Sequence, residues 1–219
     1  MRTFVISDIH GNNVAFRKAL KHVKLKKTDR LILLGDCIDR GDDSKGVLDT
    51  IFLLVENGFN LICLKGNHED MLLKAFDSDL NLNVWLKNGG DKTLMSFLTS
   101  SFEKIPAKYI DLLKSFRNYF ETDFFILVHA SLNMKIKDPY SDIETILWDR
   151  DPIKLYNKDW IKDKTLIHGH SPTSKKEIIN SIEKKNNIIC IDNGSFLNKE
   201  DYGSICILEL ENLKYSFVR

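Results

Sequence analysis

Short apolar runs alternate with stretches of helical periodicity over the first seventy residues of this 219-residue chain. The runs TFVIS, LILLG and NLICLKG contain the β-branched and apolar residues that are typical of buried strands. Between them, residues 12–25 and 44–57 place apolar side chains at helical spacing, and Gly58 is well placed to end the second helix. This βαβαβ order predicts parallel strands joined by right-handed crossovers.

The rest of the chain changes from helical to strand-like patterns. Residues 69–117 have a mostly helical pattern, which is interrupted by the NGG turn at 88–90 and by Pro106. Strand-like runs follow, with hairpin-like spacing in the last four: YFETD, FFILVHA, TLIHG, EIINSI, NIICID, GSICILEL and LKYSFV. A parallel first half and a more antiparallel second half predict mixed sheets. Because no repeat or interdomain linker interrupts the pattern, we predict one domain over residues 1–219.

The composition is that of an ordinary globular protein, with 43% apolar and 29% charged residues. A net charge of +1 predicts no stable association with nucleic acid or an anionic membrane. The four cysteines show no CxxC spacing, and three lie in apolar runs, which suits a reducing compartment. The first strand starts almost at the first residue, and no apolar run approaches the ~20 residues of a membrane helix, so we expect a cytoplasmic protein.

Polar residues that can bind metals or transfer protons follow the predicted strands at their carboxyl ends. The motifs SDIHGN, GDCIDRG and GNHED, and the histidine after FFILV, contribute Asp8, His10, Asp36, Asp39, Arg40, Asn67, His68 and His129. Ligands of open α/β sheets bind outside these strand ends. Each motif alone is also compatible with a polar strand end, a surface ion pair or a capped core histidine. Together they predict a metal site.

The spacing within the first two motifs suits cation and phosphate chemistry. Asp8 and His10 are two residues apart, so both side chains point to the same side of an extended segment and can bind one cation. The carboxylate of Asp36 can bridge two cations, held roughly 3.5–4 Å apart in two-metal hydrolases. Arg40 offers a planar fork of donors that fits a phosphate.

The third motif supplies a metal ligand and a proton donor. Asn67 can give an amide oxygen to a metal, while the adjacent His68 points elsewhere and is free for proton transfer. We expect Asp39 to orient His68 and to raise its pKa. Glu69 and Asp70 are predicted in the first turn of the next helix, where acidic residues interact well with the helix dipole.

The motif IHGHSP offers two further histidines. His168 and His170 are two residues apart, so both could face one site. Gly169 and Pro172 place His170 at the tip of a loop, whereas His168 still belongs to the strand. We therefore favour His170 as a ligand and His168 as a supporting or packing residue.

In this order, the motifs D-x-H, G-D-x-x-D-R-G, G-N-H-E, H-A and G-H-[ST]-P resemble the calcineurin-like metallophosphoesterase superfamily. The resemblance runs from Arg2 to about Gly194 and includes LKGNHEDML, NGGDKTL and WDR. It is greatest for the bacterial and phage serine/threonine protein phosphatases and the symmetrical diadenosine tetraphosphate hydrolases. It implies an α/β fold with mixed sheets, in which two sheets pack face to face between helices as an αββα sandwich, and a dinuclear metal site.

Carried over by position, the resemblance implies a role for each site residue. The first metal would be held by Asp8, His10 and Asp36, and the second by Asp36, Asn67, His129 and His170. Arg40 and Arg150 would bind phosphate oxygens, and His68, oriented by Asp39, would protonate the leaving group. This mixture of oxygen and imidazole ligands suits two transition metal ions, with Mn first and Fe, Zn, Co or Ni as alternatives.

The resemblance also implies the reaction, in which a hydroxide bridging two metals attacks phosphorus in line. The substrate would be a phosphorylated protein, peptide or small molecule, and we favour a phosphoserine/phosphothreonine phosphatase. Hydrolysis of a dinucleoside polyphosphate, or of another phosphodiester, is the alternative. We expect residues 69–117 and the loop 131–148 to line the substrate cleft and to decide between them.

Overall fold

The computed structural model describes all residues from Met1 to Arg219. It contains nine strands, β1 to β9: Thr3–Ile6, Arg30–Leu33, Asn60–Cys63, Tyr119–Glu121, Phe125–Val128, Thr165–His168, Ile188–Cys190, Ile205–Glu209 and Lys214–Val218. Nine α-helices, α1 to α9, span Asn13–His22, Ser44–Glu56, Asn67–Lys74, Asp79–Trp85, Asp91–Ser96, Ala107–Lys114, Ile143–Trp148, Lys158–Ile161 and Lys175–Glu183. The longest helix has 13 residues, and none combines the length and apolar character needed to span a bilayer.

The strands form two mixed sheets, as predicted. The first has the order β3-β2-β1-β8-β9, in which β1, β2 and β3 are parallel and β8 and β9 are antiparallel to their neighbours. The second has the order β4-β5-β6-β7, in which β5, β6 and β7 are parallel and β4 is antiparallel to β5. The predicted βαβαβ start of the chain is thus one half of the first sheet.

The continuous apolar runs of the first sheet divide between its two faces, because successive side chains of a strand point in opposite directions. In β1, Phe4 and Ile6 pack with buried residues of α1 and α2, whereas Val5 faces the other way. In β2, Leu31 and Leu33 share the helix-covered face, and Ile32 shares the face of Val5.

The second sheet has the same division and completes a four-layer arrangement. In β5, Leu127 packs against the inner face of the first sheet, in one cluster with residues of β1, β2 and β8. Ile126 and Val128 of the same strand point outwards and pack against Ile146 and Leu147 of α7. Both sheets are therefore buried on both faces, which explains their continuous apolar runs. The predicted αββα sandwich with mixed sheets is confirmed.

One predicted strand, EIINSI, is wrong, because these residues belong to α9. Ser174 caps this helix through its hydroxyl, and the Glu177 side chain reaches back to the backbone of Ser174, which is a capping box. Ile178 and Ile182, four residues apart, are buried on one face of the helix. The S-x-x-E pattern precedes the apolar residues in the sequence and favours a helix, although the β-branched isoleucines alone favour a strand.

The segment that follows β3 is helical and kinks where the sequence predicts interruptions. The residues Leu86–Gly90 join α4 to α5 through a kink at Gly89, whose φ is +102°. Pro106 precedes the first residue of α6, and a short 3-10 helix, Phe102–Lys104, lies just before it. The next residue of the NGG turn, Gly90, lies against the ring of the buried Trp85.

Gly90→Ala is expected to destabilise the protein by about 2 kcal/mol through overpacking. The new Cβ would lie 2.4 Å from Cε2 of the Trp85 ring, which is fully buried and cannot move aside without disturbing the core. The free energy of unfolding in urea measures this cost.

Gly58→Ala is the matched control, because Gly58 has φ +74° and nothing within 4 Å of the added Cβ. This substitution adds backbone strain without a clash and should cost about 1 kcal/mol. If Gly90→Ala lowers the free energy of unfolding no more than Gly58→Ala does, the contact with Trp85 does not restrict the size of the side chain at position 90.

Candidate metal centre

The candidate ligands come together at the carboxyl ends of the parallel strands of both sheets. They follow β1, β2, β5 and β6, or begin α3 after β3, and all six are buried: Asp8, His10, Asp36, Asn67, His129 and His170. Potential ligand atoms form two groups, His10–Asp36–His68 and Asp36–His129–His170. Within each group, the atoms all lie within 4.8 Å of one another. Asp36 is common to both.

The backbone at these positions is strained. Five candidate site residues have left-handed φ values between +45° and +70°, namely His10, Asp36, Asp39, Arg40 and His170. Such conformations cost about 1–3 kcal/mol each and persist only where the surrounding structure imposes them. Asp and His tolerate this region better than most residues. Strain concentrated in one cluster of side chains is typical of a functional site.

Asn67, His129 and His170 direct three hydrogen-bond acceptors at one point. Asn67 Oδ1 lies 3.0 Å from both His129 Nε2 and His170 Nδ1, and the two nitrogens are 3.1 Å apart. The other nitrogen of His129, Nδ1, is 3.0 Å from the carbonyl oxygen of Leu34. His170 Nε2 is likewise 3.2 Å from the carbonyl of Trp148. Because a carbonyl only accepts, those outer nitrogens carry the protons, and the inner nitrogens have free electron pairs.

His10 presents a fourth acceptor in the same way. Its Nδ1 lies 3.0 Å from the carbonyl oxygen of Ile38, so Nε2 is free of a proton. Arg40 donates to this Nε2 through Nη1 at 3.0 Å, and Asp36 Oδ2 is 3.5 Å away. The centre therefore contains three imidazole nitrogens without a proton, of which that of His10 accepts from Arg40, next to carboxylate and amide oxygens.

The charge of the centre also fits metal cations. Burial, followed by the negative charges of Asp8 and Glu69, raises the pKa of Asp36 well above its usual range. The Asp8 carboxylate is 3% exposed and accepts hydrogen bonds only from the Ser7 hydroxyl and the His170 amide. Buried carboxylates are costly without a countercharge. Oxygen and imidazole donors that face one another without shared protons fit transition metal ions.

His68 is held by Asp39, as expected, but its pKa shifts in the opposite direction. Nδ1 of His68 lies 2.8 Å from Asp39 Oδ2, while Nε2 is buried without a partner, 3.9 Å from Asp36 Oδ2. The expected rise is wrong: burial, followed by the charge of Arg40, lowers the pKa of His68 to about 2. Burial raises the pKa of Asp39 to about 8. Both shifts disfavour the ion pair of aspartate and imidazolium.

Two residues that hold Asp39 have no individual signal in the sequence. Trp85 donates from its indole nitrogen to Asp39 Oδ2 at 2.9 Å, and Thr93 donates from its hydroxyl to Oδ1 at 2.6 Å. The backbone amide of Asp39 donates to the hydroxyls of Ser44 and Thr93, both at 3.0 Å. Trp85 and Thr93 flank the NGG turn, and the sequence indicates that turn without indicating which side chains contact Asp39.

Glu69 lies in the first turn of α3, as predicted, but its contacts go beyond the helix dipole. Its carboxylate accepts three backbone N–H groups, from Asp36, Cys37 and Gly66, each at 2.8 Å. Burial raises the pKa of Glu69 to about 7, against the effect of these three donors. The side chain fixes the loop after β2 to the start of α3, and so fixes Asp36 relative to Asn67.

The two arginines differ in how firmly the structure holds them. Arg40 is half-buried, its guanidinium carbon lies 4.6 Å from the centre of the Phe196 ring, and its backbone amide donates to Gly89 at 3.2 Å. A Cβ at Gly89 would lie 2.8 Å from the Arg40 nitrogen, so this position requires glycine. Arg150 is exposed and donates only to the carbonyl of His170, at 3.4 Å.

His168 lies outside both groups of ligand atoms. It ends β6, its Nδ1 is 3.1 Å from the carbonyl oxygen of Gly169, and burial lowers its pKa to about 4. The neighbouring loop is anchored separately, since the Ser195 hydroxyl lies 2.8 Å from the carbonyl oxygens of both Asp8 and Ile9. That anchor holds Phe196 against His10, with ring centres 4.9 Å apart.

The chain is similar to known phosphoesterases over most of its length. A family profile described as calcineurin-like phosphoesterase matches residues 1–194. Serine/threonine-protein phosphatase 2 of Escherichia coli is 42% identical over 89 residues, which are 40% of this chain and 38% of that protein. A symmetrical bis(5'-nucleosyl)-tetraphosphatase of Nitrosomonas europaea is 31% identical over 153 residues, which are 67% of this chain and 53% of that protein. The chain thus covers less than two thirds of the length of either relative.

Solved structures agree on the fold. A serine/threonine phosphatase from Saccharomyces cerevisiae superposes with a TM-score of 0.66, covering 100% of this chain and 80% of that one at 13% identity. At this identity the likeness concerns the fold alone. Together with the family match, it confirms the resemblance that the sequence motifs indicated.

His170→Ala is expected to reduce the amount of transition metal bound per chain, whereas His168→Ala is not. Both residues are buried histidines two positions apart, but only His170 directs a free electron pair at Asn67 and His129. Elemental analysis after reconstitution with Mn and gel filtration measures the bound metal, with circular dichroism as the check on folding. Equal metal content in the two variants would contradict the assignment.

Proposed function

Because this chain belongs to the calcineurin-like phosphoesterase family, we propose that it is a metal-dependent phosphatase that hydrolyses phosphomonoesters, with phosphoserine and phosphothreonine in proteins as the leading substrates. The observation that carries the proposal is the convergence of three proton-free imidazole nitrogens and two kinds of side-chain oxygen beside the guanidinium of Arg40. The nitrogen and oxygen acceptors suit metal ions, and the guanidinium of Arg40 suits an anion. A phosphate could therefore contact the metal ions and Arg40 at the same time.

We propose that Asp8, His10 and Asp36 hold one metal ion, and that Asp36, Asn67, His129 and His170 hold a second. Bound metal ions of this kind acidify water and neutralise charge on a phosphoryl group. The donor mixture supports Mn as the first choice, with Fe, Zn, Co and Ni also compatible. Cysteine is absent from the donor set, which argues against a structural thiolate zinc site.

The remaining roles belong to the protein's own side chains. Arg40 and Arg150 would bind the phosphoryl oxygens, and the support of Arg40 by Phe196 and Gly89 favours one fixed orientation. His68 would give a proton to the leaving oxygen from Nε2, the atom that has no other partner. A bound phosphate places negative charge beside that nitrogen and so favours its protonated form. Asp39 would keep the ring in the required orientation.

Hydrolysis of a dinucleoside tetraphosphate is the second candidate, because a relative with that name aligns over a longer part of the chain than the named protein phosphatase does. The metal chemistry is common to both reactions, so the difference must lie in the walls of the cleft. We propose that residues 69–117 and the loop 131–148 form those walls, a placement supported by the contact between Gly89 and Arg40. Four cysteines without disulfides support a reducing location, and we propose the cytoplasm.

Four substrates test the function: a phosphoserine peptide, an aryl phosphate, an aryl phosphodiester and diadenosine tetraphosphate, each assayed with Mn. We expect the two monoesters to be hydrolysed with the higher kcat/KM, since one phosphoryl group with free oxygens fits between the metal ligands and Arg40. Efficient turnover of the dinucleotide alone would reject the first choice in favour of the second.

His68→Asn is the control that ties the activity to this site. Loss of a general acid costs about 10²–10⁴-fold in kcat, so we expect a fall in that range with the metal content retained. An unchanged kcat would remove His68 from the reaction, and a fall accompanied by loss of metal would indicate a structural cause.

A further inference from the structure

Two neighbouring surface cavities form one depression that starts at the candidate centre and continues along α1. The first has a volume of about 340 Å³, and its lining includes His10 and Arg40. The second has a volume of about 580 Å³ and shares Asn13, Val14 and Asp43 with the first. We call the whole depression the α1 groove, lined by residues 10–14, 17, 18, 21, 40–43, 195 and 196.

The far end of the α1 groove is positively charged. Arg17, Lys18 and Lys21 follow Val14 at helical spacing, so they lie along one exposed face of α1, opposite its buried residues. Lys18 donates to the carbonyl of Arg219 at 3.0 Å, but no salt bridge involves Arg17 or Lys21. We call these three cations the basic stripe. Because two of them are unpaired, the stripe can attract an anionic ligand.

The acidic residues of the groove, Asp42 and Asp43, form no salt bridge with the basic stripe, although Asp43 also lines the far cavity. Asp43 accepts hydrogen bonds from Asn13 Nδ2 at 2.9 Å and from the Gly46 amide at 2.8 Å, and so caps α2. Asp42 accepts from Lys92 at 3.3 Å. Both carboxylates line the near cavity, which also contains Arg40.

The wall between Arg40 and the stripe does not suit a continuous row of phosphates. Its apolar members are Val14, which is 64% exposed, and Phe196. The Asn13 side chain is already bonded to Asp43 and to the Thr50 hydroxyl. A polyphosphate would need donors along this stretch for each phosphate that it places there. A ligand whose two negative ends are separated by a neutral, partly apolar segment fits better.

The dimensions fit a peptide. Seven residues of α-helix separate Val14 from Lys21, which is about 10 Å at 1.5 Å per residue. An extended peptide advances about 3.3 Å per residue, so about three peptide residues span the stretch from Val14 to Lys21. A peptide residue placed between Arg40 and the basic stripe would contact Val14 and Phe196.

We propose that the α1 groove binds the acidic flank of a phosphopeptide substrate, with Asp or Glu side chains on the basic stripe while the phosphoryl group lies at Arg40. The proposal deepens the phosphatase function proposed above and rests on it. It predicts selectivity for acidic over basic sequence around the phosphorylated residue.

The test compares acidic-flanked, basic-flanked and neutral phosphoserine peptides, an aryl phosphate and diadenosine tetraphosphate on the Mn-loaded full chain. In the wild type, kcat/KM for the acidic peptide should exceed that for the basic peptide by about fivefold or more, as expected for exposed ion pairs. In the variant R17E/K21E this ratio should fall to about one or invert. The kcat/KM of the aryl phosphate should change by less than about twofold, because screening weakens charges beyond ~8–10 Å.

The matched control is K176E/K184E, which makes the same change in net charge at the first turn of α9 and at the residue that caps its end; this helix packs against β7 of the second sheet. This control should keep the wild-type preference. An equal loss in the control, or an unchanged ratio in R17E/K21E, would overturn the docking proposal. Diadenosine tetraphosphate hydrolysis that falls selectively in R17E/K21E would overturn it in favour of a polyphosphate ligand. Failure to hydrolyse the aryl phosphate and every peptide would instead overturn the phosphatase function, and the docking proposal with it.

Discussion

Three backbone carbonyl groups fix the protonation pattern on which the centre depends. The carbonyls of Leu34, Ile38 and Trp148 face the outer nitrogens of His129, His10 and His170, and therefore keep the protons on the outside of the cluster. Exchange of a tautomer would leave a buried carbonyl unpaired, at a cost of about 1–3 kcal/mol. The inner nitrogens consequently cannot satisfy one another by sharing protons. The nitrogens of His129 and His170 face only the Asn67 oxygen and each other, and that of His10 accepts from Arg40, an arrangement that supports the proposed metal centre over a purely polar core.

The sandwich supports this arrangement because both sheets end their parallel strands at the same place. The loops that leave those ends turn sharply, which places His10, Asp36 and His170 in the left-handed region of the backbone. The surrounding contacts offset the free-energy cost of this strain. Glu69 gathers three backbone amides, and Ser195 bonds to the carbonyls that flank the first motif. The fold thus holds two sheet edges together at a point where the carboxylates of Asp8 and Glu69 repel that of Asp36.

Local patterns of the chain predicted the mixed sheets, the parallel start and the strand-end cluster of candidate ligands, whereas the four layers were implied by the family resemblance. The sequence mispredicted EIINSI as a strand, since β-branched residues in a short run outweighed the capping box at Ser174. It also mispredicted the pKa of His68. The carboxylate of Asp39 is visible in the sequence, whereas the depth of burial and the approach of Arg40 are tertiary properties. The contacts of Trp85 and Thr93 with Asp39 depend on the kink at Gly89, and no spacing rule predicts which side chains such a kink brings inwards.

The measurement that tests the central claim most directly is a crystal structure of the Mn-reconstituted protein with anomalous diffraction recorded at the Mn absorption edge. The account predicts two anomalous peaks, one against Asn67, His129 and His170 and the other against Asp8 and His10, with Asp36 in contact with both. Well-ordered side chains with no anomalous peak among them, or a single peak held by other residues, would contradict it.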